Sequence, residues 1–268
     1  MNEQRKRGRP RSNSIDYVIN TGFDVEQIVT KRGWDLKFSN DIFVPLKTNS
    51  ELDVILSTEG GIMPATNMVL VGGPGSGKST VALDMLSNLV QQGYKCLYIS
   101  AEMDEIAYFK YCRRIPKFSC IPVLFLTNYT NHLRPTLEHV FDEGYDVIVI
   151  DSIAEVIDSY KIEYRTTESA AEKWFLELQE KHKKGNNSKN YYTTFVNIQQ
   201  VTKAGEFVGS NRLKHMTDAM CHIDHSKDKL ERSMYFSKNR DCDKDFKIFF
   251  AINKENVYYS YAEQKEND

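Results

Sequence analysis

A chain of 268 residues with 41% apolar and 27% charged residues can bury one substantial core and has the composition of a water-compatible globular domain. No apolar run reaches the ~18 to 20 residues that cross a bilayer, so a helical membrane protein is excluded and no membrane partner is expected. The basic N-terminus has no apolar run behind it and does not read as a secretory signal, so a cytoplasmic or nuclear compartment is expected, the cytoplasm first. The formal net charge of −2 gives the whole molecule no pull toward polyanions, which leaves any nucleic-acid contact to local patches.

Residues 1–14 are polar and basic with breakers at Gly8 and Pro10, a composition that predicts a disordered tail. Residues 15–49 form an N-terminal extension, in which 24–29 suit a short helix and 42–44 suit a strand stopped by Pro45. A regular α/β pattern then runs over residues 50–262, ahead of a polar tail at 263–268. Residues 68–71 are a strand, and 80–90 have helical apolar spacing stopped by Gly93. Further short apolar runs follow at 96–99, 123–126, 147–150 and 194–198. Continuous apolar runs of this kind are buried on both faces, and their alternation with helices predicts a mostly parallel central sheet flanked by helices. Residues 168–184 form a helix with acids early and lysines late. Beyond Ser233, the runs 234–236 and 247–252 predict antiparallel edge strands.

The octet Gly72-Gly73-Pro74-Gly75-Ser76-Gly77-Lys78-Ser79 fits G-x-x-x-x-G-K-[ST] and lies between a buried strand and a helix, where that pattern holds the phosphates of ATP. Glycines let amides converge on phosphate oxygens. Lys78 reaches the terminal phosphates, the Ser79 hydroxyl ligates Mg2+, and Thr80 carries the loop into a helix whose dipole favours the anion. A glycine-rich turn that bound nothing would set a lysine against its own helix N-terminus. Magnesium also calls for a carboxylate at the tip of another buried strand. Asp151 stands there, with helix capping by Asp151 or Ser152 as the competing role. Glu102 follows the strand at 96–99 and is placed to orient or deprotonate a water; Asp104 and Glu105 are alternative bases. Gln199 and Gln200 end the strand at 194–198, where a polar side chain can sense a terminal phosphate, although strands commonly end in polar loops. The cysteines Cys96, Cys112, Cys120, Cys221 and Cys242 form no C-x-x-C pair, so free thiols and no zinc are expected. His222, Asp224 and His225 lack a fourth ligand at metal spacing.

Glu51-Leu52-Asp53, Gly60-Gly61-Ile62-Met63-Pro64 and the octet together resemble the entry to the core of the RadA/Sms branch of the RecA-like ATPases. The resemblance continues through Ser100-Ala101-Glu102, Ile150-Asp151-Ser152-Ile153, Val201-Thr202-Lys203-Ala204-Gly205, Leu213-Lys214-His215-Met216-Thr217-Asp218 and Lys238-Asn239-Arg240. The strand ending Ser100-Ala101-Glu102-Met103 is also similar to DnaB-type helicases. What the resemblance implies is a RecA-like fold, DNA-stimulated ATP hydrolysis, and a homo-oligomeric ring or filament with ATP at subunit interfaces. On it, Glu102 is the catalytic glutamate and Gln200 the phosphate sensor. Lys238 and Arg240 become a basic pair that acts in trans on a neighbour's nucleotide or couples ATP to DNA; without it they read as a solvated strand edge. Asp241 stands where the family usually has Phe, and Gln200 where the branch tends to have His. Neither the branch's four-cysteine zinc element nor its Lon-protease-like domain lies within these residues, so a minimal, divergent core is expected, of the kind a phage encodes.

The implied activity is that of a helicase, branch-migration enzyme or recombinase acting on single-stranded DNA in recombination, repair or replication. The alternatives are an ATP-switched DNA-binding or assembly protein with slow hydrolysis, and a small-molecule P-loop kinase. In RecA-like proteins two loops face the DNA, and here they fall at about 159–170, with Lys161 and Arg165, and at 203–214, with Lys203, Arg212 and Lys214. Cations on flexible backbone suit phosphate tracking; the acids among them suit a solvated loop equally. The tail Arg5-Lys6-Arg7-Gly8-Arg9-Pro10-Arg11 resembles an AT-hook, which enters the minor groove of A·T-rich duplex DNA. A nuclear-import signal or a simple polybasic tail shares its composition.

Overall fold

The run Asn-Met-Val-Leu-Val-Gly at Asn67–Gly72 buries all its residues, and an uncharged segment buried on both faces is a strand at the middle of a sheet. This is β1. It is joined by β2 (Cys96–Ser100), β3 (Val123–Phe125), β4 (Val147–Asp151), β5 (Thr194–Gln200), β6 (Ala219–His225), β7 (Arg232–Asn239), β8 (Lys247–Ile252) and β9 (Val257–Tyr261). In the computed structural model, which describes residues 30–201, 211–225, 231–242 and 247–261, these strands form one sheet of order β3-β2-β4-β5-β1-β6-β7-β8-β9. Strands β1 to β6 pair in parallel, and β7 to β9 continue the sheet antiparallel, the α/β arrangement that the sequence predicts.

The helices are α1 (Asp53–Leu56), α2 (Lys78–Gln91), α3 (Glu105–Arg114), α4 (Leu133–Asp142), α5 (Ile153–Glu163), α6 (Glu168–Lys183) and α7 (Asn211–Met216). Alternation along the strands divides the core between the two faces of the sheet. Met68, Leu70, Val147 and Val149 pack with Leu83 and Leu86 of α2 and Tyr108 of α3. Val69, Val71, Ile148 and Ile150 pack with Phe141 of α4, Val156 of α5 and Phe175 of α6. Each fully buried Val, Leu, Ile or Phe contributes about 1.5–3 kcal/mol, so both helical layers are firmly held and the strand tips between them are fixed in place. Among the described residues no helix is long and apolar enough to cross a membrane.

Two expectations are corrected. The segment expected as a strand at 42–44 instead ends a 3₁₀ turn, Asn40–Phe43, that Ser39 starts by accepting from Asp41 N–H. Phe43 and Val44 are 60% and 59% exposed, so β propensity there found no partner strand. The flexible loop expected at 159–170 is largely helical. Ile153, Val156 and Tyr160 recur at helical spacing and bury one side of α5, and Thr167 caps α6 by accepting from Ala170 N–H, which leaves only 164–167 as a turn. The helix expected at 24–29 and the tails at 1–14 and 263–268 lie outside the described residues. The chain divides between Phe38 and Ser39. Before that point Gly33–Asp35 form a 3₁₀ turn, and the Arg32 guanidinium lies 5.4 Å from the Trp34 ring centroid. After it, Leu46 and Ile62 form an antiparallel bridge.

Candidate nucleotide-binding site

Strands β1, β2, β4 and β5 run in parallel, so the residues that follow them emerge at one edge of the sheet. Gly72 ends β1 against β6, where an added Cβ would stand 2.3 Å from the Ile223 carbonyl oxygen. Gly77 has φ +112°, and its Cβ position faces Ile252 and Phe250 of β8 at 3.2 and 3.3 Å. Only glycine meets both demands of such a left-handed, crowded position. The first helical bond of α2 runs from Val81 N–H to Gly77 C=O at 2.9 Å, so the amides of Lys78, Ser79 and Thr80 sit at the open mouth of the helix.

Lys78 Nζ donates to the carbonyls of Gly72 and Gly73 at 2.9 and 3.0 Å. Burial pushes its pKa down, while Asp151 and Glu102 pull it up. Burial pushes the Asp151 carboxyl up, against hydrogen bonds from Ser79 and Tyr98 and the charge of Lys78, with Glu102 adding to the rise. Asp151 is 3% exposed, and Tyr98 donates its hydroxyl to Oδ2 at 2.5 Å. Ser76 Oγ is buried without a hydrogen-bond partner. An orphan hydroxyl, a desolvated ammonium and a helix mouth fit a polyphosphate. A desolvated carboxylate hydrogen-bonded to the Ser79 hydroxyl fits a magnesium ion. The loop from Gly72 to Thr80 would therefore hold the phosphates of ATP, and Ser79 with Asp151 the metal.

Glu102 follows β2, and Gln200 ends β5. Although β4 separates those strands in the sheet, Gln200 Nε2 lies 3.5 Å from Glu102 Oε1. The alternative bases are engaged elsewhere: Asp104 caps α3 by accepting from Ala107 N–H at 2.7 Å, and Glu105 accepts from Asn128 at 2.7 Å. Ser152 is the residue before α5 but makes no side-chain cap. Arg114, which sequence reasoning missed, donates to Thr80 Oγ1 at 3.2 Å. Tyr98 was missed as well; its one signal is a polar-tipped ring inside an aliphatic strand.

Lys238 and Arg240 are not in this cluster. Ala219 pairs with Asn239 and Met68 with Ala219, so the pair stands at the opposite edge of the sheet, roughly 17 Å away along β1. Lys238 Nζ donates to the carbonyls of Lys214, at 3.0 Å, and Thr217 at the end of α7. Arg240 pairs with Asp218 at 2.9 Å, which also takes Lys183 at 2.6 Å. Asp241, in the place of the family's Phe, accepts from Thr66 at 3.3 Å and through its carbonyl from Thr58 N–H at 2.8 Å. Of the residues assigned to DNA, Lys161 lies on α5 paired with Asp158. Arg165 has φ +49° in the turn before α6, and Arg212 and Lys214 lie on α7. Arg5, Lys6, Arg7, Arg9, Arg11 and Lys203 lie outside the described residues. His222 stacks on Tyr235 at 5.1 Å and shares a hydrogen bond with Ser237.

A parallel sheet whose central strand feeds a phosphate loop, flanked by strands that present an aspartate and a glutamate at the same edge, defines a RecA-like P-loop ATPase core. Residues 47–115 match the family described as "ATPase: KaiC". Among individual proteins, the chain is similar to the DNA repair protein RadA of Campylobacter jejuni, 30% identical over 192 residues that make up 72% of this chain and 41% of that protein. It is also similar to RadA of Helicobacter pylori strain 26695, 31% identical over 196 residues, with the same two shares. The chain thus spans less than half the length of these curated relatives. In fold it is similar to the RadB recombinase, with TM-score 0.59 and 19% identity over 80% of this chain and 98% of that one. A KaiC-like protein of Pyrococcus horikoshii gives TM-score 0.58 and 16% identity over 81% and 99%.

Proposed function

We propose that the chain hydrolyses ATP and couples that hydrolysis to action on single-stranded DNA in recombination or repair, as a head-to-tail homo-oligomer. The observation that carries this reading is the contact of Gln200 with Glu102, beside Lys78 and Asp151. It joins the residue placed to activate water to the end of β5, whose continuation carries Lys203. Glu102 accepts the proton of the attacking water, and Lys78 and the loop amides hold the phosphate oxygens in line. Magnesium, when bound, supplies charge neutralisation between those oxygens. The Gln200 amide registers the terminal phosphate and passes its loss along β5. Lys238 and Arg240, at the far edge, lie too far from this chain's own loop to act on it, so in this reading they act on the nucleotide of a neighbouring copy in a ring or filament, or couple ATP to DNA. The description of the similar RadA proteins as DNA repair proteins supports DNA as the partner.

Single-turnover hydrolysis with and without single-stranded DNA tests the reading. Stimulation by DNA is expected, with a loss of about 10²- to 10⁴-fold in Glu102→Gln. Hydrolysis indifferent to DNA and to that substitution would leave an ATP-switched assembly protein, and phosphate transfer to a nucleoside monophosphate would make the chain a kinase.

A further inference from the structure

Tyr98 lies in β2 between Leu97 and Ile99 with none of its surface exposed. Packing alone in such a strand is met by an aliphatic residue or Phe, whereas a buried phenol requires a hydrogen-bond partner. The register supplies one. Strands β2 and β4 run parallel with Tyr98 beside Val149 and Ser100 beside Asp151, so the phenol reaches along the neighbouring strand to its last residue. The ring is itself held. It stacks on Tyr108 of α3 at 6.2 Å, Tyr108 meets Phe125 edge-on at 5.9 Å, and the Tyr108 hydroxyl donates to the Phe118 carbonyl at 2.8 Å. A chain of contacts from α3 and β3 thus ends on one oxygen of Asp151, 2.5 Å from the phenol.

We propose that Tyr98 is the positioning residue of the metal site: by holding Oδ2 of Asp151 it fixes the carboxylate in the orientation that receives magnesium together with Ser79. This rests on the reading of Ser79 and Asp151 as the magnesium pair. A carboxylate with 3% exposure has little water to replace a lost donor, so removing the phenol frees it to turn toward Ser79 or Lys78. Hydrogen-bond partners outside the ligand shell commonly change metal affinity about 10- to 100-fold.

Tyr98→Phe keeps the ring, its stack and its volume. Binding of a fluorescent ATP analogue to the full chain is measured by anisotropy in EDTA and across a magnesium titration. In the variant, affinity in EDTA stays at the wild-type value, while the magnesium concentration at the midpoint rises about 10-fold or more. In an Asp151→Asn background the same change adds nothing. Tyr108→Leu, which loosens the stack without touching Asp151, moves the midpoint in the same direction by less. An unmoved midpoint in Tyr98→Phe overturns the proposal, as does an equal loss of affinity with and without magnesium, which marks a packing defect. If the wild-type affinity ignores magnesium altogether, the assignment of Ser79 and Asp151 fails, and the positioning role fails with it.

Discussion

Two adjacent glycines of the phosphate loop make opposite demands, and alanine at each separates them. At Gly72 the new methyl would stand 2.3 Å from the Ile223 carbonyl oxygen and 2.7 Å from Ser76 Oγ, whereas at Gly73 nothing lies within 4 Å. Ile223 is the register partner of Gly72 in β6, so the obstacle is backbone held by a ladder, and β1 and β6 must part by about 1 Å to restore ordinary contact. Overpacking of this kind costs about 1–3 kcal/mol. In a domain of this size that lowers Tm by about 2–12 °C. Gly73→Ala falls within about 0.5 kcal/mol of wild type, as an uncrowded substitution should. Thermal melts followed by circular dichroism, run on both variants in parallel, measure the difference, and ATP-analogue binding should weaken in Gly72→Ala because Ser76 is displaced too. Indistinguishable melting of the two variants would refute the close approach of β6 to the loop.

The opposed-edge placement of Lys238 and Arg240 predicts complementation in mixed oligomers. Lys238→Ala subunits keep an intact phosphate loop and Glu102→Gln subunits keep an intact basic pair, so each alone loses about 10³-fold in hydrolysis and the mixture recovers part of it; a mixture as inactive as its components would remove the action in trans. A third prediction concerns Asp84 of α2, which is 1% exposed, 2.7 Å from Lys117 Nζ and 3.0 Å from the Tyr259 hydroxyl. Burial holds its carboxyl above the ordinary range, with Lys117 and Tyr259 opposing. The folded state therefore binds this proton more tightly than the unfolded chain, and stability falls as pH rises from the ordinary carboxylate range through the folded value. Lys117→Met extends that fall to higher pH, so its destabilisation, about 3 kcal/mol, is larger at about pH 8 than at about pH 5. Urea melts at the two pH values measure it, and an equal loss at both would count against a charged, buried Asp84.

The parallel strands were legible because each is a continuous apolar run, and the phosphate loop because its glycines and lysine fall between such a run and an amphipathic helix. Strand β6 was not legible: His222, Asp224 and His225 interrupt its apolar pattern, and its place in the sheet is set by pairing with β1 and β7 and by Met220, Cys221 and Ile223 entering the two cores. The 3₁₀ turn at Asn40–Phe43 misled because β-branched residues read as a strand even where no neighbour strand exists. Helix α5 had the spacing of a helix, but the family's loop was expected over its last turn. The approach of Gln200 to Glu102 and of Tyr98 to Asp151 depends on β4 lying between β2 and β5, and strand order is not written in local patterns. The Asp84–Lys117–Tyr259 group joins α2 to β9 and to the turn after α3, so it too exists only once the chain has folded.

The wall behind Gly77 sets an order of events during synthesis. Strand β1 is bordered by β5 and β6, and the loop leans on Phe250 and Ile252 of β8, all of them later in the chain. On a ribosome the glycine loop leaves the exit tunnel more than 100 residues ahead of its neighbours in the sheet, which follow at 194–252. A nascent chain folds as its partners become available, and contacts this distant in sequence form slowly. The loop thus acquires its shape only after residues 194–252 have been made, and a nascent chain that stops short of them has no finished seat for a nucleotide.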